Sequence, residues 1–326
     1  MLEFLDALRE AISQTLRQSL PEPQASLLLG MVLGVKSGFP SDFYQALRVT
    51  GTLHVVVVSG YNITVLINAL GRGLVFLPLK ARFFVIVLGI FLFVSLVGPE
   101  APVIRAAIMG TIALLATVLG RQRDALRAFL IAGMIMLIGN FLVEFFPMLN
   151  QDVLLSAAVK SAFGKSWLFD LSFQLSFLAT LGLIILFPIV DRILPGRGAP
   201  LREDLATTLA AQIMVWPLIA YRFGQASLFS PLVNALVLWT VPIATVFGMV
   251  TTTLALFVSQ IGYLIMLPVG LLLTYFTQVV RWFSSLNFGF FTASPFSVLA
   301  LFFYYLVLGG GLWFLSQSFP RKQKTS

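Results

Sequence analysis

Residues 83–98 read FFVIVLGIFLFVSLVG, an apolar run without a single charged side chain. The hydrocarbon core of a bilayer is about 30 Å thick, and a helix needs about 20 apolar residues to cross it. The run comes close to that length, so it predicts a membrane-spanning helix. How often such runs recur along the chain then decides the fold class.

Comparable apolar runs fill most of the remaining sequence. We place spans at about 83–98, 102–119, 128–146, 168–190, 205–221, 231–258, 261–280 and 297–316. The composition agrees, because 59% of the 326 residues are hydrophobic and only 10% are charged, whereas soluble domains carry about 25% charged residues. The sequence predicts an all-α polytopic integral membrane protein with about eight to nine transmembrane helices plus re-entrant or broken segments.

The loops between these spans carry the positive charge. Lys and Arg outnumber Asp and Glu by 21 to 13, and the cations cluster near Arg72, Arg123, Arg197 and Lys322. All four clusters fall on one side if each span crosses once, and the positive-inside rule makes that side cytoplasmic. We therefore expect a cytoplasmic carboxyl terminus.

Two residue counts restrict the chemistry. The chain has no cysteine and one histidine, His54, which excludes disulfides, thiolate or His-rich metal sites and a cysteine nucleophile. The position of Ser59 near His54 suggests an intramembrane hydrolase, since histidine activates serine hydroxyls. Both residues lie in one segment, however, and the sequence has no second histidine that could activate the serine from elsewhere. We expect no enzyme activity, no cofactor and no metal.

Three domains are expected. Residues 1–23 form an amphipathic helix whose leucine stripe lies in the membrane interface or packs on the bundle as a cap; residues 24–318 form the membrane domain; residues 319–326 form a basic tail. The apolar piece 26–35 is too short to span, so it is re-entrant or buried. A short stretch around residues 153–163 dips into the membrane or lies on its surface.

Glycine recurs every fourth residue near the short apolar piece, at Gly30, Gly34 and Gly38. This spacing predicts a small-residue ridge for close helix packing, provided that the first two lie on one helix.

The segment Thr52 to Leu70 is long enough to span but is interrupted by polar residues. Four valines at 55–58 give way to Ser59, Gly60, Tyr61 and Asn62, which suggests a broken helix. Backbone groups that lose their helical hydrogen bonds are tolerated in a bilayer only where protein or a water-filled cavity supplies other partners. We therefore expect this segment to face inward.

Two further spans carry polar residues. Arg105 lies in a helix of small apolar residues, where a central charge costs about 2.5–3.5 kcal/mol; it faces inward to a partner or snorkels to the interface. Asp170 and Gln174 share a helical face with Phe173 and Phe177. Asp170 either pairs with Arg105 or lines a polar path with it.

Five patches, in order, resemble the competence domain of ComEC-type DNA uptake channels. They are LLGMVLGVKSGFP at 28–40, ALRVTGTLH at 46–54 with Ser-Gly at 59–60, PVIRAAIM at 102–109, DLSFQLSF at 170–177, and residues 223–230 leading to Asn234 and Pro242. Two departures stand out: Asn62 replaces a second histidine that the family usually has, and neither an oligonucleotide-binding fold nor a nuclease domain is seen. The resemblance implies the membrane domain alone.

What the resemblance implies is a channel in the bacterial cytoplasmic membrane that passes single-stranded DNA inward during natural transformation. Its partners would be the DNA strand, membrane lipid, a DNA receptor, a separate extracellular nuclease and a cytoplasmic helicase. The candidate path residues are Arg48, His54, Ser59, Gly60, Tyr61, Asn62, Arg105, Asp170, Phe173, Gln174, Phe177, Arg222 and Asn234. The alternative is a secondary transporter of a small anionic or lipid-like solute, which equally needs broken helices and buried charges.

Overall fold

The computed structural model describes residues 2–35, 38–56, 60–98, 100–121, 124–145, 171–195, 202–258, 261–286, 290–292 and 297–318. The first eight helices are α1 (Leu2–Ser19), α2 (Gln24–Leu33), α3 (Ser41–Thr50), α4 (Leu53–Val56), α5 (Gly60–Gly73), α6 (Leu79–Val97), α7 (Ala101–Val118) and α8 (Ala125–Phe145). They are followed by α9 (Leu171–Ile185), α10 (Phe187–Ile193), α11 (Arg202–Phe223), α12 (Ser230–Val237), α13 (Thr240–Phe257), α14 (Gly262–Ser284) and α15 (Val298–Ser318).

The expected helical class is confirmed, with one small addition. Strands β1 (Gln225–Ser227) and β2 (Phe290–Thr292) pair antiparallel, with Gln225 opposite Thr292. Each has three residues, so the ribbon ties the connection after α11 to the one before α15.

The expected count of eight to nine transmembrane helices is wrong for the described residues. Three helices there, α6, α13 and α14, are long and apolar enough to cross a membrane, and the bent pair α9–α10 would make a fourth. Helices α2, α7, α8 and α15 are apolar as well, and the stretches of them whose side chains the structure describes have 10–17 residues. α11 has 22 residues but opens with Arg202, Glu203 and Asp204, which makes it more polar than a simple span.

Two of the expected spans do not form one straight helix. The run at 231–258 divides into α12 and α13, and the run at 168–190 bends by 53° between α9 and α10. In the segment 52–70 the structure describes α4 and α5, and residues 57–59 between them lie outside the described residues. An apolar composition alone does not distinguish a straight span from a divided one.

The main core is built around α2, which supports the buried interpretation of this short apolar piece. Every residue from Ala25 to Leu33 is buried, among side chains of α1, α3, α13 and α14. At Gly30 the backbone of α4 comes so close that a Cβ would lie 2.4 Å from the Val56 carbonyl oxygen. The predicted glycine ridge is nevertheless wrong, because Gly34 already ends the helix at φ 72° and Gly38 lies beyond it at φ 96°.

Helix α1 places its apolar stripe against protein. Ile12, Leu16 and Leu20 are buried in the main core. Arg9 donates from Nε to the Leu96 carbonyl at 2.6 Å and from Nη2 to the Ser95 carbonyl at 3.3 Å, where α6 ends and its carbonyls lack partners. These contacts favour the packed cap over the purely interfacial helix.

A second core joins α5, α6 and α7. Ile63, Ile86, Ile90, Phe93 and Val103 are its buried members. The expected stretch around residues 153–163, the tail 319–326, Ser59 and Asp170 lie outside the described residues.

Candidate functional site

Helix α5 carries a row of exposed polar side chains along one face. Tyr61, Thr64, Asn68 and Arg72 are all exposed, and their spacing of three, four and four residues keeps them on one side of a helix. The opposite side packs into the second core through Ile63 and neighbouring apolar residues. We call these four residues the α5 polar stripe; since lipid would not solvate them, they belong against water or a polar partner.

In the short helix α4, His54 is exposed. The ring is also hydrogen-bonded to the Gly51 backbone, which fixes its orientation. The neighbouring Ser59 lies outside the described residues.

Arg105 lies close to the amino-terminal end of the stripe. Only 9% of this residue is exposed. Its Nε donates to Ser176 Oγ at 2.9 Å, its Nη1 contacts Met109 Sδ at 3.5 Å, and its guanidinium carbon lies 6.0 Å from the centre of the Phe177 ring. No carboxylate within the described ranges pairs with it, so this cation faces inward with neutral partners.

Gly60 lets α5 approach this arginine. A Cβ at this position would lie 3.2 Å from Arg105 Nη2 and 3.0 Å from Ala106 Cβ, which is tighter than side chains normally pack. The absence of a side chain therefore brings the first turn of α5, with Tyr61, against the charged part of α7.

The two phenylalanines of the predicted α9 face support the arginine from behind. Phe173 and Phe177 are stacked with ring centres 4.2 Å apart, and Phe173 is buried. The Phe177 ring lies under the guanidinium, a cation–π arrangement. Gln174 is half-buried, and Asp170 lies outside the described residues, so its pairing with Arg105 stays a prediction.

Both candidate asparagines point into protein. Asn62 is 1% exposed and donates from Nδ2 to the Met31 carbonyl at 2.7 Å. That carbonyl belongs to the last turn of α2, where helical partners are missing. Asn234 is equally buried and donates to Ser230 Oγ at 3.2 Å, and Ser230 in turn donates to the Gly51 carbonyl at 3.4 Å.

The contacts of the two asparagines thus fix the positions of α5 and of the turn before His54. Asn62 holds α5 against α2, and the contact chain from Asn234 holds the turn before His54 against α12. Neither asparagine shares the exposed face of Tyr61.

The two remaining candidates are exposed arginines in last helical turns. Arg48 lies near the end of α3 and Arg222 near the end of α11. The Arg222 guanidinium carbon lies 5.7 Å from the centre of the Tyr221 ring. Neither belongs to the cluster around Arg105.

Sequence reasoning missed three members of this arrangement, which are Ser176, Thr64 and Met109. Ser176 stands inside the DLSFQLSF patch, but a serine in an apolar helix gives no signal of its partner. Thr64 could have been found from its spacing with Tyr61 and Asn68, since the helical period puts all three on one face.

Comparison with known proteins identifies the family. The model of the competence protein family matches residues 31–145 and 151–318, which is most of the chain. The chain belongs to the competence protein family. It is also 24% identical over 233 residues to ComE operon protein 3 of Bacillus subtilis (strain 168). That match covers 71% of this chain and 26% of the relative, and no solved structure matches.

Because the chain belongs to the competence protein family, it has a general role in DNA uptake. Its apolar helices place it in a membrane. The patches that carried the resemblance include the arginine of α7, the aromatic face of α9 and Gly60 at the start of α5, so the family motifs coincide with the cluster described above.

Proposed function

We propose that this chain forms a membrane channel that translocates single-stranded DNA, with the α5 polar stripe as part of the path wall. The observation that carries the proposal is the stripe itself. Four exposed polar side chains follow one face of a helix whose other face lies in an apolar core. Such a face needs water or a polar ligand beside it.

The phosphates of the strand have cationic contacts at three places. Arg105 lies inside the bundle, beside the start of the stripe, and keeps neutral partners in the described part of the chain. Arg48 and Arg222 are exposed at helix ends. Single strands are held by cationic grooves along their phosphates, and a moving strand requires these contacts to be weak and repeated.

The bases have one exposed ring in the stripe, Tyr61, of which 46% is exposed. Stacking on an aromatic side chain is worth about 1–3 kcal/mol per base and tolerates any sequence. Phe173 and Phe177 serve another purpose, because they are packed against each other and against Arg105. They orient the guanidinium.

The proposed setting is the bacterial cytoplasmic membrane, with the carboxyl terminus in the cytoplasm. A DNA receptor and a separate extracellular nuclease would deliver the strand, and a cytoplasmic helicase would collect it. The chain is a conduit and carries out no chemical step on the DNA.

The test is uptake of fluorescent DNA into the cytoplasm of cells that hold every other component, with this gene deleted and then restored. We expect entry to stop in the deletion strain, while DNA still binds to the cell surface, and to return on complementation. Unchanged entry would overturn the channel function. The secondary transporter of a small anionic solute would then take its place.

A further inference from the structure

Helix α11 contains a proline in its interior, Pro217. Proline has no backbone N–H, so the carbonyl four residues earlier, that of Ile213, loses its helical partner. Away from water, such a carbonyl must find another donor or remain unsatisfied, which is costly.

Two neighbouring tyrosines of α15 supply donors at this position. The Tyr304 hydroxyl donates to the Ile213 carbonyl at 2.9 Å, and the Tyr305 hydroxyl donates to the next carbonyl, that of Met214, at 2.7 Å. Both tyrosines are only half exposed. The two bonds connect segments 91 residues apart, so packing of α15 on α11 creates them.

Helix α11 carries two groups that are related to the candidate path. Asp204, in its first turn, interacts electrostatically with Tyr61, and Arg222 lies in its last turn. Pro217 lies between them, so the relative orientation of the two halves of α11 sets where Asp204 lies relative to Arg222.

The geometry points to Tyr304 and Tyr305 as positioning residues. The Tyr304 hydroxyl replaces the hydrogen bond that Pro217 removes, and the Tyr305 hydroxyl adds a second bond one residue further along. Together they fix the relative orientation of the two halves of α11. We call this pair the tyrosine clip. Its action on α11 is independent of the proposed conduction of DNA, so its test needs no DNA.

The test measures the distance between spin labels on either side of Pro217. The chain has no cysteine, so Glu203→Cys with Arg222→Cys provides two unique labelling sites about 28 Å apart along the helix. We expect the double substitution Tyr304→Phe with Tyr305→Phe to broaden the distance distribution. It should also lower the apparent Tm of the purified full chain by about 2–4 °C for each hydroxyl removed.

Pro217→Ala provides the decisive comparison. Alanine restores the N–H that bonds the Ile213 carbonyl, so the Tyr304 hydroxyl should become dispensable, while the bond of Tyr305 to the Met214 carbonyl remains. In this background we expect the double Tyr→Phe substitution to leave the distance distribution narrow and to lower the Tm by about half as much.

Tyr263→Phe is the matched control, since Tyr263 lies 65% exposed on α14 and should change neither measurement. A narrow distribution in the double Phe variant with Pro217 present would overturn the tyrosine clip. An equal Tm loss with and without Pro217 would also overturn it, because the hydroxyls would then act without reference to the proline.

Discussion

The Nε of Arg105 donates to the Oγ of Ser176 at 2.9 Å and joins α7 to α9 beside the first turn of α5. Hydrogen bonds to charged groups are worth about 1.5–3 kcal/mol. The bond uses one N–H of the guanidinium and holds the group in place. The relationship explains how a cation is kept inside an apolar bundle beside the polar stripe.

The first prediction concerns the charge of Arg105. Arg105→Leu should lower DNA uptake at least about tenfold at normal membrane levels, since it removes a contact to phosphate of about 1.4 kcal/mol or more. Arg105→Lys should retain part of the uptake, because it keeps the charge but loses the planar fork. Transformation frequency is measured together with protein level by immunoblot. Full uptake by Arg105→Leu would show that the charge is peripheral.

The second prediction uses two glycines of the same helix. Gly60→Val should destabilise the protein by about 1–3 kcal/mol through overpacking, because a Cβ there would already lie 3.0 Å from Ala106 Cβ. Gly71→Val is the control, since nothing lies within 4 Å of a Cβ at that position, and it should stay within about 0.5 kcal/mol of the parent. Thermal unfolding in detergent compares them, and equal losses would contradict the close approach at Gly60.

The third prediction separates two asparagines on opposite sides of α5. Asn62→Leu should lower stability by about 1–3 kcal/mol because it leaves the Met31 carbonyl without its donor. Asn68→Leu should leave stability nearly unchanged but reduce uptake, since Asn68 is exposed in the stripe. Unfolding and uptake are measured on both variants. The stripe would lose its support if Asn68→Leu were fully active.

The fourth prediction concerns salt dependence. Removing one arginine that meets a phosphate lowers the slope of log affinity against log salt by about 0.7 for a single strand. Arg48→Gln should show this change for all DNA sequences alike when binding is titrated on protein in nanodiscs. Arg127→Gln has the same change in net charge, but Arg127 pairs with Asp124 at 3.0 Å, and it should leave the slope unchanged. Identical slopes for the parent and Arg48→Gln would remove Arg48 from the path.

The fifth prediction is the topology. Single cysteines placed at Arg72, Arg123, Arg197 and Lys322 should resist a membrane-impermeant maleimide added outside intact cells and react after permeabilisation. The absence of native cysteine removes background labelling. Labelling of any one position from outside would contradict the common cytoplasmic side.

Much of the architecture could be predicted from the sequence because bilayer physics acts on short segments. The runs at 83–98, 102–119 and 128–146 each became one helix, with ends within about four residues of the prediction. The predicted break in the segment 52–70 stays a prediction, since residues 57–59 lie outside the described residues. Fewer of the described helices than expected are long and apolar enough to span a membrane, and composition did not reveal where the run at 231–258 divides.

Sequence by itself therefore determined the membrane class, the positions of most helices, the family motifs and the presence of charges that had to face inward. These properties depend on the free-energy cost of placing polar groups in hydrocarbon, and the composition of each segment sets that cost independently of the other segments. Only the tertiary structure decided that Asn62 is buried while Asn68 is exposed. It also decided that Arg105 meets Ser176, 71 residues further along the chain. Such contacts depend on how helices rotate and pack against each other, and packing is a property of the assembled bundle rather than of any one segment.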